Sequence, residues 1–235
     1  KSLQEVYPAI ERYLNWRLTQ PRWIYQGLTP ENEKDAEFVV SAIVDMEYMS
    51  KIAAELGMNS ASTEWLKKRT DYIEQYKKWF WATPQDLPIQ HINHFKGRDT
   101  HPIQITQGLY LKEIKGDYYE SLLGLFYKYY DTNQSFAGFN APKYPDVDFT
   151  IYGLIQNNKN ILARGLIEAN LRDIVLAQNV FAETYTHEDI PFPGGVRPSI
   201  FGMAAMIDFT LLKNGYMNTL KYPPTKKIVL FSFIT

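Results

Sequence analysis

Apolar side chains recur every three or four residues along most of this chain, which is the spacing of amphipathic α-helices. Over residues 3–18 the repeating positions are Leu3, Tyr7, Ile10 and Leu14. A second helix is predicted to start at Thr29-Pro30-Glu31, which offers a cap residue, a proline and an acid. Its apolar face is Phe38, Ala42, Met46, Met49, Ala53 and Leu56, and Gly57 is its predicted C-cap.

The same periodicity predicts several more helices toward the C-terminus. One is capped by Ser62 or Thr63, is lined by Leu66, Ile73, Tyr76 and Phe80, and ends at Pro84. The others are predicted at residues 104–114, 117–130, 149–156, 160–185 and 199–214, the last capped by Ser199. Residues 84–103, 132–147 and 186–198 are rich in proline and glycine and predict loops.

Seven or eight helices joined by alternating short and long loops predict an all-α fold, either a bundle or an (α/α) toroid. No fixed-period repeat is visible, which argues against a helical solenoid. We assign residues 1–222 to this helical domain and residues 223–235 to a C-terminal strand or the start of a β appendage, because residues 228–234 are β-branched and aromatic.

Composition narrows the possible functions. The net charge is -1, so nothing electrostatic favours nucleic acid as a partner, and no apolar run reaches the ~20 residues of a membrane span. Cysteine is absent, which excludes thiolate chemistry and disulfides. Aromatic residues make up 15% of the chain. Tyr and Trp combine an apolar face with a polar tip, and this suits the C–H faces of sugars.

The sharpest local motif is Phe181-Ala182-Glu183-Thr184-Tyr185, at the predicted end of a helix and before a Pro/Gly-rich loop. At the rim of a helical barrel, the carboxylate of Glu183 can activate a water molecule as a general base, and Tyr185 can line a sugar subsite. The alternative is a surface glutamate near a helix end.

Residues 144–185 resemble the last third of six-hairpin (α/α) barrels in the trehalase-like and mannosyl-oligosaccharide-glucosidase-like glycoside hydrolases. The resemblance lies in the order of Tyr-Gly-Leu at 152–154, Leu-Ala-Arg-Gly-Leu at 162–166 and Phe-Ala-Glu-Thr-Tyr at 181–185. A final stretch from Gly194 to Gly202 continues it, and residues 6–16, 35–57 and 65–81 look like the helices that surround the acid-bearing loop in these enzymes.

The resemblance implies that Glu183 is the general base. The general acid of these families is an Asp in a Gly-Trp-Asp or Gly-Met-Asp loop that precedes an Arg-Trp pair. Here Trp16, Arg22 and Trp23 are present, but Arg17 stands near the place of the acid. Inverting glycosidases need two carboxyl groups roughly 6.5–9.5 Å apart, so this departure matters.

Three explanations of the missing acid remain open. The acid comes from elsewhere, with Asp35, Asp146 and Asp148 as candidates; or its loop is absent from this chain; or the barrel binds sugar without cleaving it. Asp146 and Asp148 point the same way in a loop or strand, whereas in a helix they diverge by about 200°. Acids at a helix N-terminus also favour the macrodipole, which is the structural alternative for both.

The resemblance thus implies an inverting glycoside hydrolase that acts on an α-linked gluco-configured oligosaccharide. The predicted substrate-binding residues are Trp16, Arg22, Trp23, Tyr144, Tyr185 and Arg197. The alternatives are a non-catalytic carbohydrate-binding barrel and a polysaccharide lyase, which would use Tyr and a His from the loop at 91–101. We expect no cofactor and no metal, because the spacing of His91, His94 and His101 does not favour zinc.

Two expectations concern the protein as a whole. A six-hairpin barrel needs twelve helices and the chain begins with Lys1, so we expect the native protein to hold further residues. No signal peptide is visible, yet a secreted or periplasmic location is favoured over a cytoplasmic one. The oligomeric state stays open.

Overall fold

The computed structural model describes residues 2–23, 32–89, 92, 102–129, 144–182, 184–185 and 192–213. The predicted all-α fold class is confirmed for these residues. The helices are α1 (Leu3–Thr19), α2 (Ala36–Glu55), α3 (Asn59–Phe80), α4 (Pro102–Thr106), a 3₁₀ turn (Gln107–Tyr110), α5 (Asp117–Tyr129), α6 (Tyr144–Gln156), α7 (Asn160–Leu176) and α8 (Ile200–Lys213). The two-residue strands β1 (Thr184–Tyr185) and β2 (Pro193–Gly194) pair antiparallel.

Helix α1 has the predicted bounds to within one residue. The backbone N–H of Ser2 donates to the carboxylate of Glu5 across 3.1 Å, which stabilises the first turn. Tyr7 and Leu14 are buried, as their spacing predicts.

Helices α2 and α3 form a hairpin, and their pairing is the most extensive between helices in the described part of the chain. The end of α2 confirms Gly57 as the C-cap glycine. Gly57 has φ 75°, its N–H donates to the carbonyl of Ala54, and the N–H of Met58 donates to the carbonyl of Ala53. This pair of bonds satisfies two carbonyls that the helix end would leave exposed.

The predicted start of α2 at Thr29-Pro30-Glu31 is wrong. The helix begins at Ala36, and the carboxylate of Asp35 accepts a hydrogen bond of 3.1 Å from the N–H of Glu37. Asp35 therefore serves as the N-cap. Lys34, which precedes Asp35, pairs with Trp23 as a short parallel bridge.

Two details of α3 also differ from the prediction. It begins at Asn59, before Ser62 and Thr63, and Leu66 is exposed. Ile73, Tyr76 and Phe80 are buried as predicted.

Helices α6 and α7 are joined by a tight turn at residues 157–159, in which Asn158 has φ 60°. The prediction started α6 five residues too late, at Phe149, and the predicted loop at 132–147 is helical from Tyr144 onward. It also carried α7 to Tyr185, whereas the helix ends at Leu176 because Gln178 and Asn179 both adopt positive φ. The left-handed conformation at Gln178 closes the helix without a glycine.

A backbone hydrogen bond connects the residues after α7 to the start of α8. The N–H of Ser199 donates to the carbonyl of Phe181 across 2.9 Å, and α8 starts at the next residue. The predicted helix at 104–114 is instead the short α4 followed by the 3₁₀ turn. The predicted strand at 228–234 lies outside the described residues. None of the described helices is long and apolar enough to cross a bilayer.

Candidate functional site

The chain path brings the beginnings of α6 and α8 to the same end of the helical packing. The tight turn after α6 makes α7 run antiparallel to α6, and both helices pack against α8. The bond between Ser199 and Phe181 holds the segment that follows α7 beside the first turn of α8. Phe181 and Ala182 therefore lie at the end where α6 begins.

Glu183 lies outside the described residues, but its neighbours are well defined. The hydroxyl of Tyr185 accepts a hydrogen bond of 2.9 Å from the N–H of Ala182 and donates to the carbonyl of Val180. Tyr185 is 1% exposed, and burial raises the pKa of its hydroxyl. Both hydrogen bonds hold the backbone of residues that precede Glu183, so the geometry favours a buried packing role for the Tyr185 side chain over the predicted sugar-lining role.

Asp146 and Asp148 both lie within α6, so the alternative in which they point the same way is wrong. Their positions are about 200° apart around the helix axis. Asp148 is half-buried one turn into the helix, and its charge acts on the hydroxyl of Tyr152, one turn further along. The side chains of Tyr144 and Asp146 lie outside the described residues.

A second carboxyl group approaches Tyr152 from α8. The hydroxyl of Tyr152 donates to Oδ2 of Asp208 across 3.1 Å. Burial raises the pKa of Asp208, although this hydrogen bond lowers it in part. Burial and the carboxylates of Asp208 and Asp148 together raise the pKa of Tyr152 strongly. Asp208 was not predicted as a site residue from the sequence. Asp208 is, however, the only charged residue between Ile200 and Leu212, and a single carboxylate in an otherwise apolar helix indicates a candidate functional position.

An aromatic row continues from Tyr152 toward α2. The ring of Tyr110 lies 6.4 Å from that of Tyr152 and 5.1 Å from that of Phe149, measured between centroids. Burial raises the pKa of Tyr110, and the hydroxyl of Tyr48 on α2 interacts with it and raises it further. One row of side chains thus joins three helices and the 3₁₀ turn. It consists of Asp148, Asp208, Tyr152, Tyr110 and Tyr48.

The predicted acid candidate Asp35 lies apart from this row. It is buried, and its carboxylate caps α2 as described above. The geometry favours the structural role for Asp35.

Trp23 is buried in a cationic and aromatic cluster. Its indole N–H donates to the carbonyl of Gln20 across 2.9 Å, and its ring stacks on Tyr72 at 5.5 Å. The ammonium of Lys34 lies 5.5 Å from the ring of Trp23 and 5.3 Å from that of Trp79. Burial lowers the pKa of Lys34, although Glu33 raises it in part. Trp23 therefore packs inside the fold, whereas a sugar would need an open aromatic face.

Three other predicted binding residues, Trp16, Arg22 and Arg197, are accessible. Trp16 is exposed on α1, with its ring 6.1 Å from that of Tyr13, and Arg22 is exposed beside Trp23. Arg197 is exposed in the loop before α8, where its guanidinium donates to the carbonyl of Pro193 across 3.2 Å.

Arg17, which stands near the place of the general acid in the resembling families, is itself held by four groups. Its guanidinium donates to Asp45 across 2.8 Å, to the carbonyl of Phe38 across 2.8 Å and to the hydroxyl of Ser41 across 2.7 Å. It also lies 5.8 Å from the ring of Trp23. Burial raises the pKa of Asp45, and the charge of Arg17 opposes that rise.

Within the described ranges, no group of three His, Asp or Glu side chains is arranged to hold a metal ion. His91, His94 and His101 fall outside those ranges. Neither a known protein-family model nor a curated protein matches this chain. The geometry of the site and the resemblance of the motifs therefore carry the functional proposal.

Proposed function

We propose that the chain forms part of an (α/α) toroid of the six-hairpin glycosidase type that hydrolyses an α-linked gluco-configured oligosaccharide with inversion. Three lines support this: the all-α architecture of packed hairpins, the ordered motifs of the sequence, and the approach of Asp148 and Asp208 to the hydroxyl of Tyr152.

The observation that carries the proposal is the position of Asp148. It lies one turn into α6, at the end where Phe181 is hydrogen-bonded to Ser199, the residue before α8. A rise of 1.5 Å per residue puts Asp148 roughly 6 Å closer to that end than Tyr152, and Asp208 lies at the level of Tyr152. Of the described carboxylates on α6 and α8, Asp148 is therefore the better partner for Glu183.

In the proposed single displacement, Glu183 takes a proton from a water molecule whose oxygen attacks the anomeric carbon. Asp148 gives its proton to the glycosidic oxygen as the bond to the leaving sugar breaks. The hydrogen bond between Tyr152 and Asp208 holds the face of α6 that carries Asp148 against α8, so both are positioning residues.

The test is a screen of α-linked disaccharides followed by two isosteric variants. Glu183→Gln and Asp148→Asn each remove a proton-transfer group, so we expect turnover to fall by about 10²–10⁴-fold. The control is Asp35→Asn, which removes a buried carboxylate but keeps a good helix cap, so we expect turnover to stay intact. Equal turnover in Asp148→Asn and wild type would remove Asp148 from the proposal.

A non-catalytic carbohydrate-binding barrel is the second candidate, favoured by one observation. Arg17 near the expected acid position is fully engaged by Asp45, Phe38 and Ser41. A wild-type chain that binds oligosaccharides and hydrolyses none of them would decide for this candidate.

The lyase alternative finds less support. A tyrosine base works best with a pKa close to the working pH. Burial and two carboxylates instead raise the pKa of Tyr152.

A further inference from the structure

A cleft of about 240 Å³ opens between α1 and α2. Leu14, Met49 and Ile52 contribute apolar surface to its lining, and the phenol rings of Tyr13 and Tyr48 contribute aromatic surface. Both tyrosines are more than half exposed, and the exposed ring of Trp16 extends the aromatic surface beyond Tyr13.

The carboxylate in this cleft is Asp45, and it is fixed in place. Arg17 holds one of its oxygens at 2.8 Å, while about half of the side chain stays exposed. Arg17 is anchored in turn by Phe38 and Ser41, so the acceptor is preorganised before any ligand arrives. Because Arg17 neutralises Asp45, the cleft offers a strong hydrogen-bond acceptor without net charge.

The dimensions and chemistry of the cleft restrict its ligand. Pockets for drug-sized molecules span roughly 300–1,000 Å³, so this cleft suits a single ring. Aromatic walls and an aliphatic floor suit the C–H faces of a ring, and a neutralised carboxylate suits hydroxyl donors over a cation. A neutral polyhydroxylated ring meets all three conditions.

We propose that the α1–α2 cleft is a non-catalytic binding site for one pyranose ring of a neutral saccharide. The choice of ligand class rests in part on the proposed function, but none of the residues that line the cleft is one of the proposed reacting groups. The cleft would hold a ring of the saccharide without taking part in proton transfer.

The experiment titrates maltose into the isotope-labelled chain and follows amide chemical shifts on α1 and α2. Wild type and Glu183→Gln are both titrated, so that hydrolysis does not confuse the result. We expect saturable shifts around Tyr13 and Asp45 in both proteins. Tyr13→Ala should weaken this binding by about five- to tenfold, since it removes one aromatic wall.

A matched control is Tyr127→Ala on α5, because Tyr127 is 50% exposed and Tyr13 is 55% exposed. It should leave maltose binding unchanged. Asp45→Asn removes the charged acceptor and should also weaken maltose binding. If the loss of the ion pair with Arg17 disturbs α1, Tyr13→Ala still tests the site independently.

Three outcomes would overturn the proposal. The first is the absence of maltose-dependent shifts on α1 and α2 at millimolar sugar. The second is saturation of the cleft by hexanol in the absence of any effect of maltose, which would make it a site for purely apolar molecules. The third is a dimer, measured by analytical ultracentrifugation, that Tyr13→Ala dissociates. If the chain hydrolyses nothing but shows the expected chemical-shift changes, the proposed hydrolase activity is contradicted and the proposed saccharide site is supported.

Discussion

The guanidinium of Arg69 on α3 makes a two-pronged contact with Glu113, with N–O distances of 2.6 and 3.0 Å. Its Nη2 also lies 3.0 Å from the carboxylate of Glu47 on α2. Arg69 is buried, so it joins two helices and the segment before α5 through one cation. Truncation of Arg69 removes the cation that Glu113 pairs with and leaves Glu47 with Lys51.

We therefore predict that Arg69→Met lowers the free energy of unfolding by about 2 kcal/mol, below the full cost of breaking a buried pair because Glu113 is partly exposed. The control is Arg164→Met, since Arg164 is 71% exposed and pairs only along its own helix with Glu168. That change should stay within about 0.5 kcal/mol. Urea denaturation at pH 7 measures both, and equal effects would contradict the assigned role of Arg69.

The same network predicts an acid dependence. Burial alone would raise the pKa values of Glu113 and Glu47, but Arg69, together with Lys51 for Glu47, outweighs burial and holds both below their usual range. Groups with depressed folded pKa values stabilise the fold above the unfolded value of about 4.3, and that stabilisation disappears as the pH falls through the folded values. The stability difference between wild type and Arg69→Met should therefore shrink between pH 5 and pH 3, and a difference that grows on acidification would refute the network.

Gly153 on α6 packs directly on the 3₁₀ turn. A Cβ atom there would lie 2.5 Å from the carbonyl carbon of Leu109 and 2.6 Å from the backbone nitrogen of Tyr110. Gly153→Ala should therefore lower stability by about 2 kcal/mol. The energetic cost of the steric overlap exceeds the ~1 kcal/mol by which alanine is favoured over glycine in a helix. Gly124→Ala on α5 meets its nearest atom, in Leu87, at 3.9 Å and should stabilise slightly. Melting temperatures that shift in the same direction for both variants would show that the close approach is absent.

Tyr76 carries a hydroxyl that is completely buried and has no hydrogen-bond partner among the described atoms. Burial raises its pKa strongly. Tyr76→Phe removes this unsatisfied group and should raise stability by about 1 kcal/mol. Tyr7 is the opposite case, since its hydroxyl donates to Glu11 across 2.9 Å and accepts from Trp65 across 3.3 Å. Tyr7→Phe should lower stability by about the same amount, and guanidinium denaturation of the two variants tests the opposite signs.

The helices were predictable because their apolar period is local information, and Gly57 marks one end unambiguously. The end of α7 was not, because Gln178 adopts a left-handed conformation that its residue type does not announce. The start of α2 was misplaced because Thr29-Pro30-Glu31 carries a cap signal as good as that of Asp35, and the bridge between Trp23 and Lys34 decides between them.

In the candidate site, too, local sequence signals were predictable and long-range contacts were not. Asp148 could be singled out from the sequence, but its relation to Tyr152 and Asp208 depends on how α6 meets α8, across 56 residues of chain. The pairing of Arg17 with Asp45 likewise joins residues 28 apart. Burial by tertiary packing also turns Trp23 and Tyr185 from plausible sugar contacts into packed side chains.

Asp173, in the last turn of α7, carries a carboxyl group that is only 6% exposed. Burial raises its pKa to about 6, and Arg172, whose Nη2 lies 3.6 Å away, opposes that rise only in part. The unfolded chain ionises this group near pH 3.9, so the folded protein binds the proton more tightly. The contribution of Asp173 to stability therefore declines as the pH rises from about 4 to about 6 and stays reduced above that range. Asp173→Asn keeps the shape without the buried charge, so it should raise stability at pH 8 by about 1–2 kcal/mol and have little effect at pH 4. Urea denaturation of both proteins at the two pH values isolates Asp173, because the other titrating groups cancel in the difference. A gain of the same size at pH 4 and pH 8 would mean that the carboxylate is not strained by burial.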